Sequence, residues 1–150
     1  LAGVGLVAVE WAKIELELKM HTSAMTAQET GGKPLADLEI GFKRLRKAWL
    51  RAVRKYRPSE AQKAERLICT LVDLSNQRAL AVHGAWVPTE TRGKYRFNVM
   101  RQNKGMDLNH GFASPKLLRN IANQIADAYT ELLAFTHGKH SGKHTHAFLV

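Results

Sequence analysis

Four apolar stripes at helical spacing, each bounded by a proline or glycine break, set what this chain can fold into. In the first, Val4, Val7, Trp11, Ile14 and Leu18 share one side of a segment from about Gly3 to about Met25, opposite Glu10, Lys13 and Glu17. The stretch from Thr26 to Pro34 breaks it: Gly31-Gly32 supplies a turn, and Pro34 suits the first turn of a following helix, where its missing N–H leaves no bond unmade. Leu38, Phe42, Leu45, Trp49, Ala52, Val53 and Tyr56 then predict a second helix over about Leu35 to Tyr56, closed by Pro58. Ser59 and Gln62 have capping-box spacing, so the third helix is predicted to begin near Glu60. Its apolar residues Leu67, Ile68, Leu71, Val72, Leu74, Leu80 and Val82 cover more than one narrow stripe, as in a helix with several neighbours. Ser114-Pro115 opens the fourth, in which Leu118, Ile121, Ile125, Ala128, Tyr129 and Leu132 align.

Between the third and fourth helices the period changes. Tyr95, Phe97 and Val99 alternate with Lys94, Arg96 and Asn98, and Pro88 and Gly93 bound a turn, so a hairpin or extended excursion is expected between Trp86 and Arg101. Alternation puts the aromatics on one face, which suits covering the bundle better than stacking bases; Trp11, Trp49 and Trp86 likewise read as core. The expected fold class is all-α: a four-helix antiparallel bundle with a short β-hairpin or extended insertion between helices three and four. One domain is assigned to residues 1–136, and a flexible tail rich in His, Lys and Gly to residues 137–150.

A chain of 150 residues can bury one sizeable core without disulfide or metal staples. Its one cysteine, Cys69, sits between Ile68 and Thr70 and reads as a packed thiol in a reducing compartment, which makes the cytoplasm the expected location. The apolar run Leu1 to Val9 is too short to span a membrane, which takes about 20 residues, and no basic region precedes it as in a signal peptide. His137, His140, His144 and His146 match no rigid ligand pair, and neither a phosphate-cradling glycine loop nor a serine or cysteine triad is present. No metal and no cofactor are expected.

Charge narrows the partners. With 23 Lys+Arg against 13 Asp+Glu the formal net charge is +10, which favours nucleic acid, with an anionic membrane surface or an acidic protein behind it. Between Lys43 and Arg57 lie eight basic residues (Lys43, Arg44, Arg46, Lys47, Arg51, Arg54, Lys55, Arg57) and no acidic one. With Leu45, Trp49 and Tyr56 turned inward, these cations flank the buried stripe and suit a phosphate backbone; the alternative is a solvated face neutralised by Glu10 and Glu17 of a neighbouring helix. Lys43, Arg44, Lys47, Arg51, Arg54 and Lys55 are the candidate nucleic-acid contacts.

Late on the third helix, Arg78 falls in line with Leu67, Leu71 and Leu74, where the pattern asks for another leucine, and His83 lies in line with Val72 inside the apolar sector. A buried guanidinium needs a carboxylate, a partner subunit or an anionic ligand. Glu15, Glu17 and Asp127 are the candidate carboxylates. Five residues turn a helix by about 500°, leaving Arg78 and His83 about 140° apart, so the length of the arginine, a helix break at Gly84 or a second subunit supplying the complementary residue could bring both to one phosphate. Asn76, seven residues before His83, sits almost above it and could position the ring.

Arg78, four intervening residues and His83, followed by Gly84-Ala85-Trp86 at the end of a long helix, resemble the motif of the HEPN superfamily (higher eukaryotes and prokaryotes nucleotide-binding domains). In its ribonuclease members the resemblance implies metal-independent RNA cleavage at a homodimer interface. His83 would be general acid or base at the ribose 2′-hydroxyl or leaving oxygen, and Arg78 would hold the phosphate and steady transition-state charge. Ala79 stands where nuclease members commonly carry a polar residue. The competing expectation is a non-catalytic interaction or nucleic-acid-binding domain in which Arg78 and His83 are structural. A homodimer through the surface carrying both residues, and no membrane association, complete the expected partners.

Overall fold

The stripes fold into four helices, α1 (Ala2–Thr30), α2 (Phe42–Tyr56), α3 (Ala61–His83) and α4 (Pro115–His137). The structure is a computed structural model that describes residues 2–31, 40–83, 85–88, 90, 95–101 and 107–138, with residues 85–88, 95–101 and 107–113 described by backbone alone. Val7, Trp11, Ile14 and Leu18 of α1 meet Leu45, Trp49 and Val53 of α2, Leu67, Leu71 and Leu74 of α3, and Ile125, Leu132 and Phe135 of α4 in one core. Aromatic contacts tie it together: Trp11 meets Phe42 edge-on at 4.9 Å, and Trp49 meets Phe135 at 5.2 Å. α1 touches all three other helices and packs most extensively on α4. Gly3 permits the closest approach, since a Cβ there would lie 2.9 Å from Leu118 Cβ.

Two helix boundaries differ from expectation, and one expected cap does not form. α1 continues past Met25 to Thr30, and within it Thr22, Thr26 and Thr30 donate their hydroxyls to the carbonyls of Leu18, Thr22 and Thr26 at 2.6, 2.9 and 3.1 Å, so these side chains do not compete with the helix from outside it. Gly31, at φ +62°, then supplies the left-handed residue that follows many helices. α2 begins at Phe42 and not near Leu35: Gly41 is extended (φ −61°, ψ 155°), and its carbonyl accepts from the amides of Arg44 and Leu45. Pro34, Leu35 and Leu38 lie outside the described residues. Ser59 does not cap α3. It sits inside a single 3-10 turn, Pro58–Glu60, held by an ion pair between Arg57 and Glu60, and α3 starts at Ala61. Ser114 does cap α4 as its sequence suggests, accepting from Leu117 N at 3.2 Å with Pro115 in the first turn.

Between α3 and α4 the backbone forms an antiparallel sheet of β1 (Ala85–Pro88), β2 (Tyr95–Arg101) and β3 (Asp107–Ala113), in the order β1-β2-β3. Trp86 is level with Phe97, and Tyr95 with Ala113. The expected packing of Trp86, Tyr95 and Phe97 lies outside the described side chains, as do His140, His144 and His146 of the tail.

Candidate nucleic-acid interface

Helix α2 puts Leu45, Trp49, Ala52 and Val53 into the core, and its cations follow from that choice. Lys43, Arg44, Lys47, Arg51, Arg54 and Lys55 are all exposed, gathered within roughly a third of a turn on the side away from the core. They form one outer face, while half-buried Arg46 lies on the other side of the buried stripe, next to Val53 on the helical wheel. Tyr56, expected to point inward, is 39 % exposed.

Two of the six are neutralised, by carboxylates other than those expected. Arg54 donates from Nε and Nη2 to Glu65 Oε1 of α3 at 3.2 and 2.8 Å, and Lys55 pairs with Glu29 of α1. Hydrogen bonds from Lys55 and then Tyr56 hold the Glu29 carboxyl below its usual range, while Glu29 raises the Lys55 ammonium and, by accepting its hydroxyl, the Tyr56 phenol. Glu10 instead pairs with Lys13 of its own helix at 2.8 Å. Glu17 is buried, accepting from Thr136 Oγ1 at 2.5 Å with His137 Nε2 at 3.1 Å. Lys43, Arg44, Lys47 and Arg51 make no ion pair with any described residue, leaving four free cations along about 12 Å of helix.

Arg78 continues the line of buried Leu67, Leu71 and Leu74 but is only half-buried. Its Nε is enclosed and has no hydrogen-bond partner among the described residues. The candidate carboxylates are engaged elsewhere or turned away: Glu15 accepts from Trp11 Nε1 at 2.9 Å, Glu17 serves Thr136 and His137, and Asp127 is exposed. His83 is exposed, contrary to its expected place in the apolar sector. It is the last residue of α3, with β1 starting at Ala85, and no helix among the described residues covers it. Asn76 is exposed as well. Arg78, half-buried, and His83, exposed, stand about 140° apart around an ideal α3. The Arg54–Glu65 pair joins the exposed surfaces of α2 and α3.

Three further features escape the sequence pattern. Cys69 is exposed and not a packed thiol: Ile68 beside it turns inward, while Cys69 and Thr70 face out. Lys63, Arg66, Leu67, Thr70 and Glu131 line a groove of about 230 Å³ between α3 and α4. Around His21, the Trp49 indole donates to Nδ1 at 2.9 Å and Arg57 Nη1 lies 3.0 Å from Nε2. Both neighbours are obligate donors, and a neutral imidazole offers one acceptor nitrogen, so only one contact is a hydrogen bond at a time. Arg57 is anchored besides by donating to the Phe135 carbonyl at 3.1 Å and stacking over that ring. These partners stand 28 to 78 positions apart, beyond the reach of periodicity.

Among the described residues no helix is long and apolar enough to cross a membrane, and no group of three or more His, Cys, Asp and Glu is placed to hold a metal ion. No protein-family model matches the chain, and comparison with curated proteins and with solved structures likewise finds no match.

Proposed function

We propose that this chain is an RNA-directed, HEPN-like helical domain that holds the phosphate backbone against the outer face of α2. The observation that carries the reading is the set of four exposed cations, Lys43, Arg44, Lys47 and Arg51, free of ion pairs with described residues on a helix whose other side is core. Ammonium and guanidinium groups along a helix contact phosphates without reading bases, so binding is insensitive to sequence and sensitive to salt. Binding of a mixed-sequence single-stranded RNA, followed by fluorescence anisotropy, tests it. Affinity is expected to fall at least tenfold in Lys47→Glu/Arg51→Glu; equal affinity in this folded variant and the wild type defeats the proposal.

A second reading, a metal-independent endoribonuclease, draws on the exposure of His83, which a general acid or base needs. It requires Arg78 to swing to the same phosphate or to act from a second copy, given the separation of the two side chains on α3. Cleavage of the same RNA in EDTA, lost in both His83→Ala and Arg78→Ala and leaving 2′,3′-cyclic phosphate ends, supports it. No cleavage, or equal cleavage by folded variants, leaves α2 binding as the function.

A further inference from the structure

Helix α1 is apolar on two sides. Val7, Trp11, Ile14 and Leu18 enter the core, while Leu6, Val9, Leu16 and Met20 on the opposite side are 42 %, 57 %, 54 % and 58 % exposed. A helix apolar all round is ordinarily buried all round, so the outer stripe lacks its cover. With Lys13 it recurs at intervals of three and four residues (6, 9, 13, 16, 20), the a/d repeat of a coiled-coil seam. We propose that this stripe is the seam of a homodimer, in which α1 pairs antiparallel with α1 of a second copy. This is independent of the RNA reading, and it places the two-fold on α1 and not on the helix of Arg78 and His83.

Three observations favour a second copy as the occupant. The repeat is self-complementary, as a two-fold contact demands: in the antiparallel alignment Leu6 faces the partner's Leu16, and Lys13 faces the partner's Val9 with its ammonium beside the partner's Glu10. Lys13 already pairs with Glu10 of its own helix, so the one charge in the stripe is balanced. Charge also selects the face. Although the chain carries +10, α1 holds Glu10, Glu15, Glu17 and Glu29 against Lys13 and Lys19, so two copies meeting here avoid the repulsion that α2 would impose. The area comes close to what a dimer needs. The four large side chains expose roughly 400 Å² per copy, the size of the largest, often functional, apolar patch on a typical monomer. With the exposed Ala2, Ala12 and Gly5 beside them, two copies approach the lower bound of about 1,200 Å² for a specific interface. A Cβ at Gly5 would meet nothing within 4 Å, so this flank is open to close approach.

Sedimentation velocity on the full chain from about 1 to 100 μM is expected to show a species of twice 16.8 kDa. Val9→Glu/Leu16→Glu should weaken association by on the order of 100-fold with helix content retained. Should that variant lose its fold, the geometry is tested directly: in a Cys69→Ser background, Leu6→Cys/Leu16→Cys should form disulfide-linked dimers far faster than Leu6→Cys alone. A monomer at 100 μM, a dimer indifferent to the glutamates, or equal cross-linking by the single and double cysteine variants overturns the proposal.

Discussion

Thr136 donates its hydroxyl to Glu17 Oε1 at 2.5 Å, joining the first helix to the last across 119 positions of sequence. Both side chains are buried, so water cannot replace the bond when one partner is removed. A double-mutant cycle of Glu17→Ala and Thr136→Val, read by urea unfolding, should give a coupling of about 1.5–3 kcal/mol, the range for a hydrogen bond to a charged group. Simple additivity would show that the carboxylate is held by His137 instead.

Two glycines of α1 should respond oppositely to alanine. At Gly3 the new methyl meets Leu118 Cβ at 2.9 Å, and the overlap, worth about 1–3 kcal/mol, outweighs the gain in helix propensity. At Gly5 nothing lies within 4 Å, so Gly5→Ala should stabilise by up to about 1 kcal/mol. Thermal unfolding of the two single variants checks the signs.

The salt dependence of RNA binding should count the free cations. Four phosphate contacts predict a slope of log K against log[salt] of about −3 for a single strand. Each of Lys43→Gln, Lys47→Gln and Arg51→Gln should make it shallower by about 0.7. Arg54→Gln, which already has Glu65 as partner, should change it less.

The Glu29–Lys55–Tyr56 cluster fixes a pH window. The lowered Glu29 pKa means its contribution to stability is present above the ordinary carboxylate value of 4.5 and is lost as pH falls through the folded value below it. The raised Lys55 pKa means its contribution is complete below 10.5 and is lost as pH rises through the folded value above it. This cluster therefore leaves stability flat from about pH 5 to 10. A carbon-detected NMR titration should find the Glu29 midpoint below 4.5 and return it toward that value in Lys55→Met.

Cys69, exposed on α3, should react stoichiometrically with a maleimide in the native state without loss of helical circular dichroism. Reaction only in denaturant would place the thiol under cover.

What the chain disclosed in advance was its inward faces. Trp11, Ile14 and Leu18, and again Leu45, Trp49 and Val53, are buried where 3.6-residue periodicity puts them, because burial of an amphipathic stripe dominates each helix. The boundaries yielded less. The left-handed Gly31 lets α1 run on to Thr30, and the extended backbone of Gly41 precedes α2, both local effects that an apolar count does not register. Least legible was who pairs with whom. Glu29 and Glu65 neutralise α2 in place of Glu10 and Glu17, since ion pairing depends on helix register, which no spacing within one helix encodes. Cys69 reads as buried because its neighbours in sequence are apolar, although a helix turns adjacent residues to different sides; His83 aligns with Val72 on the helix but is the last residue of α3 and is exposed.

The dependence of α1 on α4 also sets an order of events during synthesis. Val7, Trp11, Ile14 and Leu18 are made before the helix that covers them most fully, which starts 97 to 108 positions further along. Until Pro115–His137 emerges, α2 and α3 cover only part of the inner side of α1 and its outer stripe is bare, a state open to misassociation.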